Sequence, residues 1–442
     1  MLKKGDKKII RAWAFYDWAN SSYSLVITSA LFPIYFHAVT TNNNPGGMVH
    51  FLGRTFNSDS LQSYSISFAF LLIASISPLL SSIADYSGKK KRFMYFFSTM
   101  GAISCSALFF FDSMSTLWIG VLGAVLAAMG YSGSIVFYNA FLPEIAEPED
   151  QDKVSAKGFA LGYIGSSLLL IFSLTMILFP DWYGGIEKGF AIRLAFLLVG
   201  AWWFGFAQYT FAHLPDNIYE RKDEGDYLFN GYRELRKVWG ELKKTSRIKT
   251  FLLSFFFYNM GVQTVMYVAT LFGDGELHLD SSILIAIILI IQFVAIGGAY
   301  LFSNLSKRFG NIRALSIAIT IWVFVCIGAF LCNKKYGVNE QNMFMGLAAV
   351  VGLVMGGIQS LSRSTYSKLL PETIDHASYF SFYDVCDKIG TVIGTLAFGL
   401  INEMTGSMRN SIIVLAGFFF IGLFLLLRMP KSERSIQPVL NS

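Results

Sequence analysis

Apolar residues run along this chain in stretches of about twenty, each broken by a short polar cluster. A helix rises about 1.5 Å per residue, so about twenty apolar residues cross roughly 30 Å of hydrocarbon. Twelve such spans are predicted, over residues 11–39, 60–84, 93–112, 115–142, 156–180, 189–214, 248–273, 281–305, 314–332, 343–369, 378–403 and 408–428. One long polar stretch, 215–247, interrupts the series between the sixth and seventh spans, with an amphipathic helix predicted around Tyr232 to Leu242. The expected protein is therefore all-α and integral to the membrane. Residues 1–214 form an N-terminal six-helix bundle, 215–247 a cytoplasmic linker lying on the membrane surface, and 248–442 a C-terminal six-helix bundle with a short tail.

Composition supports this and narrows the function. Of 442 residues, 54% are hydrophobic and only 14% charged, against about 25% charged in an ordinary soluble domain. A soluble globule, a disordered chain and a disulfide-rich secreted protein are excluded. The four cysteines, Cys105, Cys326, Cys332 and Cys386, sit in or at the ends of apolar runs without a CxxC pair or histidine at metal-ligand spacing, so neither disulfides nor zinc are expected. The basic start Lys3, Lys4, Lys7, Lys8, Arg11 leads into the first span without a small-residue cleavage site, which predicts an uncleaved first helix.

Charge placement orients the chain. With the N-terminus inside, the inner segments collect Lys89 to Arg92, then Arg233, Arg236, Lys237, Lys243, Lys244 and Arg247, then Lys307, Arg308 and Arg313, and finally Lys431 and Arg434. The outer segments hold Arg54, Lys188, Arg193, Lys334, Lys335 and Arg409. This asymmetry predicts both termini in the cytoplasm. It also accounts for the net charge of +6, so no nucleic-acid partner is expected.

The two halves look alike. Tyr138-Asn139-Ala140-Phe141-Leu142-Pro143-Glu144 near the end of span four is echoed 228 residues later by Tyr366-Ser367-Lys368-Leu369-Leu370-Pro371-Glu372 near the end of span ten. Spans one and seven share Phe15-Tyr16-Asp17 and Phe257-Tyr258-Asn259, and the loops after spans two and eight carry Gly88 and Gly310 before basic residues. Three matches in the same order predict a six-plus-six duplication.

With these residues in view, the sequence resembles the major facilitator superfamily, whose twelve helices form two pseudo-symmetric bundles that rock around a central cavity. The loop Ser81-Ser82-Ile83-Ala84-Asp85-Tyr86-Ser87-Gly88-Lys89-Lys90 is similar to the superfamily signature between helices two and three, with Ser81 and Tyr86 replacing its first Gly and Arg. Asp85, Gly88, Lys89 and Arg92 are accordingly gate candidates. A narrower resemblance, to the vacuole-effluxer branch, rests on Trp13-Ala14-Phe15-Tyr16-Asp17-Trp18-Ala19-Asn20-Ser21, Phe141 to Ala146, Ser155 to Gly165 and Gly356 to Ser364. That branch includes a vacuolar amino-acid effluxer linked to autophagy and many bacterial relatives. The resemblance implies secondary transport, with amino acids as one substrate class, in a bacterial inner membrane or a vacuolar membrane.

Ionisable groups inside a bilayer cost about 2.5–3.5 kcal/mol each on insertion scales, so each needs a partner or a role. Asp17, Asn20, Ser21, Ser24 and Thr28 recur at helical spacing in span one, and Asn259, Gln263, Tyr267 and Thr270 do so in span seven. Helices one, four, seven and ten line the cavity in the resembled superfamily, so these two stripes are expected to face each other across it; polar glue between helices is the other reading. Tyr16, Asp17, Asn20, Asn139, Asn259, Gln263, Gln359 and Arg363 are the candidates for substrate binding or coupling. In span eleven Asp384 is spaced to pair with Lys388, leaving Asp387 for Arg363. These groups, with Asp17, lie near the inner ends of their spans and equally suit an inner-gate charge network.

Glu144 and Glu372 read as solvated or capping groups at the inner rim. Gly158, Gly162 and Gly165 read as close helix packing, and Trp13, Trp18, Trp118, Trp182 and Trp239 as interfacial anchors. The histidines are scattered, and no proton relay is assigned to them. No HExxH, GxSxG or phosphate-binding loop occurs, so neither an enzyme nor an ATP-driven pump is expected, and no cofactor or metal. The leading reading is a monomeric secondary transporter for a small polar solute with protons as coupling ion. A lipid or lysolipid transporter of the same fold and a non-transporting receptor or scaffold are the alternatives.

Overall fold

The computed structural model describes residues 4–41, 47–221, 227–332 and 339–430. Lys3, Lys334, Lys335, Lys431 and Arg434, counted in the charge asymmetry, lie outside them, as do linker positions 222–226. Twelve long helices follow in chain order: α1 (Lys7–Thr41), α2 (Ser58–Ser87), α3 (Lys90–Ala107), α4 (Leu117–Ala140), α5 (Gln151–Leu178), α6 (Lys188–His213), α7 (Ser246–Gly275), α8 (Ser281–Phe309), α9 (Asn311–Leu331), α10 (Glu340–Leu369), α11 (His376–Thr405) and α12 (Met408–Leu427). Eleven of them are long and apolar enough to cross a membrane. The other, α11, is 30 residues long and carries Asp384, Asp387 and Lys388. Several helices outrun the predicted spans by a turn, because backbone hydrogen bonding continues past the point where side chains turn polar.

The packing repeats with the sequence. In the first bundle α1 packs on α5 and α6, α2 on α4, and α3 on α4 and α6; in the second α7 packs on α11 and α12, α8 on α10, and α9 on α10 and α12. Each pair has its counterpart six helices later. The bundles meet chiefly through α2 against α11 and α5 against α8, a pair of contacts that the same exchange maps onto each other.

Three local features depart from simple transmembrane helices. The nine residues Tyr23–Leu31 within α1 are π-helical, with a wider turn than the 3.6-residue period behind the predicted stripe. An antiparallel hairpin, β1 (Met48–Phe51) and β2 (Arg54–Asn57), follows α1. Its tip, Leu52-Gly53, has positive φ at both residues (49° and 75°), the two-residue turn that matches strand twist. The predicted amphipathic linker helix spans Tyr227–Lys244. It packs on α2, α7 and α11, with Val238 and Leu242 buried.

Candidate functional site

Between the bundles lies a cavity of about 130 Å³ whose walls include Asp17 and Ser21 of α1, Tyr131 and Asn139 of α4, Phe159 of α5, Phe255, Tyr258, Asn259 and Gln263 of α7, Gln359, Ser362 and Arg363 of α10, and Tyr383, Asp387 and Lys388 of α11. The duplicated positions Asp17 and Asn259 thus face it from opposite halves. Of the span-one stripe only Asp17 and Ser21 reach the lining. Asn20 is fully buried and accepts a 3.4 Å hydrogen bond from the Ser21 hydroxyl. Tyr16 is fully buried against Tyr138 and Phe211, so it belongs to the first bundle's core. Beyond Ser22 the π-helical turn changes the side-chain period, which a 3.6-residue projection of Ser24 and Thr28 missed.

Arg363 is the cationic centre of one side of this cavity. Its Nη1 and Nη2 donate to Asp17 Oδ2 at 3.2 and 3.3 Å, its Nε to the Ser155 hydroxyl at 2.9 Å and its Nη2 to the Ser155 carbonyl at 2.9 Å. Asn139 Oδ1 lies 3.4 Å from Nη1. Tyr138 donates its hydroxyl to the same Asp17 oxygen at 2.8 Å. The guanidinium lies over Phe159 (4.2 Å) and Trp13 (4.8 Å), a placement suited to a planar, weakly hydrated cation. Trp13 is fully buried and donates to the Tyr138 carbonyl at 2.8 Å, so it is no interfacial anchor. Trp118 and Trp182 are exposed.

Bundle spacing here depends on glycine. A Cβ on Gly158 would stand 2.5 Å from Asp17 Oδ2, one on Gly162 2.4 Å from Ser21 Oγ and one on Gly165 2.7 Å from the Trp18 carbonyl. The three glycines therefore let α5 approach α1 closely, as their spacing suggested.

In span eleven the expected Asp384–Lys388 pair forms, but the same lysine also takes up Asp387. Lys388 Nζ lies 2.5 Å from Asp387 Oδ2 and 3.5 Å from Asp384 Oδ1. Asp387 also accepts from Asn259 at 2.6 Å and Gln263 at 2.8 Å, so it is not the partner of Arg363. Two separate charge clusters result, one on each side of the cavity. Tyr163 donates to Gln359 Oε1 across the bundle junction at 2.7 Å.

At the face expected to be cytoplasmic, called inner below, bonds across the two bundles gather. Asp85 accepts from the backbone N–H of Ala377 (3.2 Å) and Ser378 (2.7 Å) and from the Ser378 hydroxyl (2.8 Å). A carboxylate thus sits on the N-terminus of α11, where the helix dipole favours it. Gly88 ends α2 in the left-handed conformation (φ 66°), which releases the chain into α3. Lys89 caps α3, and Arg92 one turn on is exposed.

Glu144 is buried rather than solvated, paired with Lys90 and with His376 Nδ1 at 3.1 Å. Glu372 is exposed. Asp152, which sequence reasoning passed over, pairs with Lys368 at 2.7 Å and accepts from Ser306 (2.7 Å) and Asn311 (2.8 Å). His376 was passed over too, because a histidine between two predicted spans carries no signal of what it will meet. Tyr138 stood in the repeated motif, yet nothing in that motif marked its hydroxyl for Asp17.

A family model described as "Vacuole effluxer Atg22 like" matches residues 5–437. The chain belongs to that family. The vacuole-effluxer match extends to an uncharacterized MFS-type transporter, YxiO, of Bacillus subtilis, 32% identical over 98% of this chain and 96% of the relative. Autophagy-related protein 22-1 of Penicillium rubens is 24% identical over 86% of this chain and 76% of its own length. Among solved structures, the proton:xylose symporter XylE superposes with a TM-score of 0.73 at 12% identity, covering 96% of this chain and 95% of the symporter. The fold is that of the major facilitator superfamily, and this vacuole-effluxer relative is a multi-pass membrane transporter.

Proposed function

We propose that the chain is a secondary transporter moving a small polar solute, with amino acids the leading class, by alternating access with proton coupling. In this reading residues 1–214 and 248–442 are the rocking bundles, 215–247 joins them, the basic face is cytoplasmic, and the monomer is the working unit. The observation that carries it is the cavity at the bundle junction, which holds Asp17 and Arg363 on one side and Asp387 and Lys388 on the other. Charges of both signs across a small aromatic-lined space suit a zwitterion, whose carboxylate and ammonium meet opposite partners.

The inner bonds give the motion something to break. Opening that face requires Asp85 to leave the α11 N-terminus, Asp152 to leave Lys368 and Arg363 to leave Asp17. A ligand carboxylate offered to Arg363, or an ammonium offered to Asp17, replaces the bond that is lost, which is how differential binding shifts a two-state equilibrium. A lysolipid carrier would be expected to line its path with fewer ionisable groups.

Counterflow of labelled amino acids in proteoliposomes, with and without an imposed pH gradient, tests the proposal. Saturable exchange that a gradient drives uphill is the expected result. Absence of flux for every amino acid would refute the substrate class, and flux indifferent to pH would refute the coupling.

A further inference from the structure

The ionisable groups of the two cavity clusters do not balance. Asp17, Asp384 and Asp387 supply three negative charges, while Arg363 and Lys388 supply two positive ones. The three carboxylates are not equally provided for. Asp17 receives Tyr138 and two guanidinium N–H groups. Asp387 receives Lys388, Asn259 and Gln263. Asp384 has only Lys388, and at 3.5 Å, a full ångström farther than that lysine's approach to Asp387. Its other oxygen, Oδ2, is buried without a hydrogen-bond partner among the described residues, on a residue only 3% exposed.

We propose that Asp384 is the proton-binding site of this transporter, protonated on Oδ2 in one half of the cycle while Asp17 and Asp387 remain ionised. This rests on the transport reading above and deepens it by naming the coupling group. Binding is a simple association: the carboxylate becomes a carboxylic acid, no other bond is made or broken, and the excess negative charge of the clusters falls to zero. An isolated buried carboxylate is disfavoured by desolvation, whereas a saturated one is held ionised by its donors.

The surroundings agree on every side. On its own helix Asp384 faces Lys388 and Asp387. Tyr131 of α4 and Tyr267 of α7 face Lys388 and Asp387, and Cys386 on its own helix also neighbours Asp384. Asn259 and Gln263 are already engaged with Asp387. From α2, packed along α11, no ionisable side chain occurs between Ser65 and Ala84. Arg409 stands at the far end of α12. Lys237 and Glu241 of the linker helix meet Asp375 and Tyr379 at the inner end of α11. The 3.1 Å approach of the Ser82 and Ser378 hydroxyls sets the register of α2 against α11. Ser77, five residues from Ser82, therefore lies at nearly the depth of Asp384, six residues from Ser378. Ser77 and Ser81 are buried, and among the described residues their hydroxyls have no partner. The depth of Asp384 on the α2 side is thus polar but uncharged, and no second cation competes with a proton.

Infrared titration of the reconstituted protein tests this without any substrate. The wild type is expected to gain a protonated-carboxyl C=O band on acidification. Asp384→Asn should lack that component and Asp17→Asn should keep it. Asp384→Glu, which keeps a carboxyl if the Asn variant folds poorly, should move the band in frequency. A band unchanged in both Asp384 variants, or lost in Asp17→Asn instead, overturns the assignment; so does suppression of the band by sodium at constant pH, which would make the site a sodium site. In counterflow, Asp384→Asn should retain exchange and lose gradient-driven accumulation. Absence of exchange in the wild type would count against the transport reading itself, and the titration would still stand or fall on its own.

Discussion

Gly158 stands where a methyl group would lie 2.5 Å from Asp17 Oδ2 and 3.0 Å from Arg363 Nη2. Neither neighbour can retreat, since both belong to the buried pair that ties α1 to α10. Gly158→Ala is therefore expected to cost about 1–3 kcal/mol by overpacking and to lower the thermal unfolding midpoint in detergent. Gly205, also in a helix, has nothing within 4 Å of its would-be Cβ. Gly205→Ala should be neutral or stabilising by up to about 1 kcal/mol, from helix propensity alone. Equal effects of the two substitutions would show that the close approach of α5 to α1 does not hold the pair in place.

For the helices as units, the inner face is a set of clamps between α2 and α11 and between α5 and its neighbours in the second bundle. The Ser82 and Ser378 hydroxyls are 3.1 Å apart, close enough for cysteines there to meet disulfide geometry. With the four native cysteines replaced, Ser82→Cys with Ser378→Cys should cross-link on oxidation and arrest transport until a reductant is added. Failure to cross-link would mean that this face is open in the resting protein.

The linker helix is tied to α11 by electrostatics that pH can read. Burial works to raise the Asp375 carboxyl, but its hydrogen bond with Glu234 and the charges of Arg221 and Lys237 outweigh this and hold it below the ordinary carboxylate range. Burial and the same hydrogen bond hold Glu234 above that range. A group held low adds stability above its ordinary value, near 3.9 for Asp, and loses it as pH falls through the depressed value. A group held high favours the docked state while protonated and withdraws that support as pH rises through its raised value. Hydrogen-exchange protection of the Tyr227–Lys244 amides, taken relative to their intrinsic exchange rates at each pH, should therefore be greatest in a mildly acidic window. Glu234→Gln should keep that protection up to neutral pH. Protection that ignores pH in the wild type would exclude the shared proton.

At the scale of the molecule, the fold was legible because membrane solvation leaves few choices: apolar length gives the spans, and repeated motifs give the duplication. Asp17, Asn259, Gln263, Gln359 and Arg363 were legible because a polar group in an apolar run needs a reason. Their partners were not. Whether Arg363 meets Asp17 or Asp387 depends on how two bundles dock, which no helical period encodes, and Asp152 and His376 sit at helix starts where polarity is ordinary. The hairpin was missed because four-residue strands leave almost no pattern.

That hairpin gives the molecule a chemical handle. Leu52 at its tip is 88% exposed, far from the inner clamps, while the native cysteines are buried or half-buried. A cysteine at position 52 should react with a membrane-impermeant maleimide on intact cells, whereas one replacing the exposed Trp239 of the linker helix should react only after permeabilisation. The reverse pattern would turn the protein over in the membrane. With the expected one, a fluorophore at the tip becomes an external gauge of how far the bundles spread as solute passes.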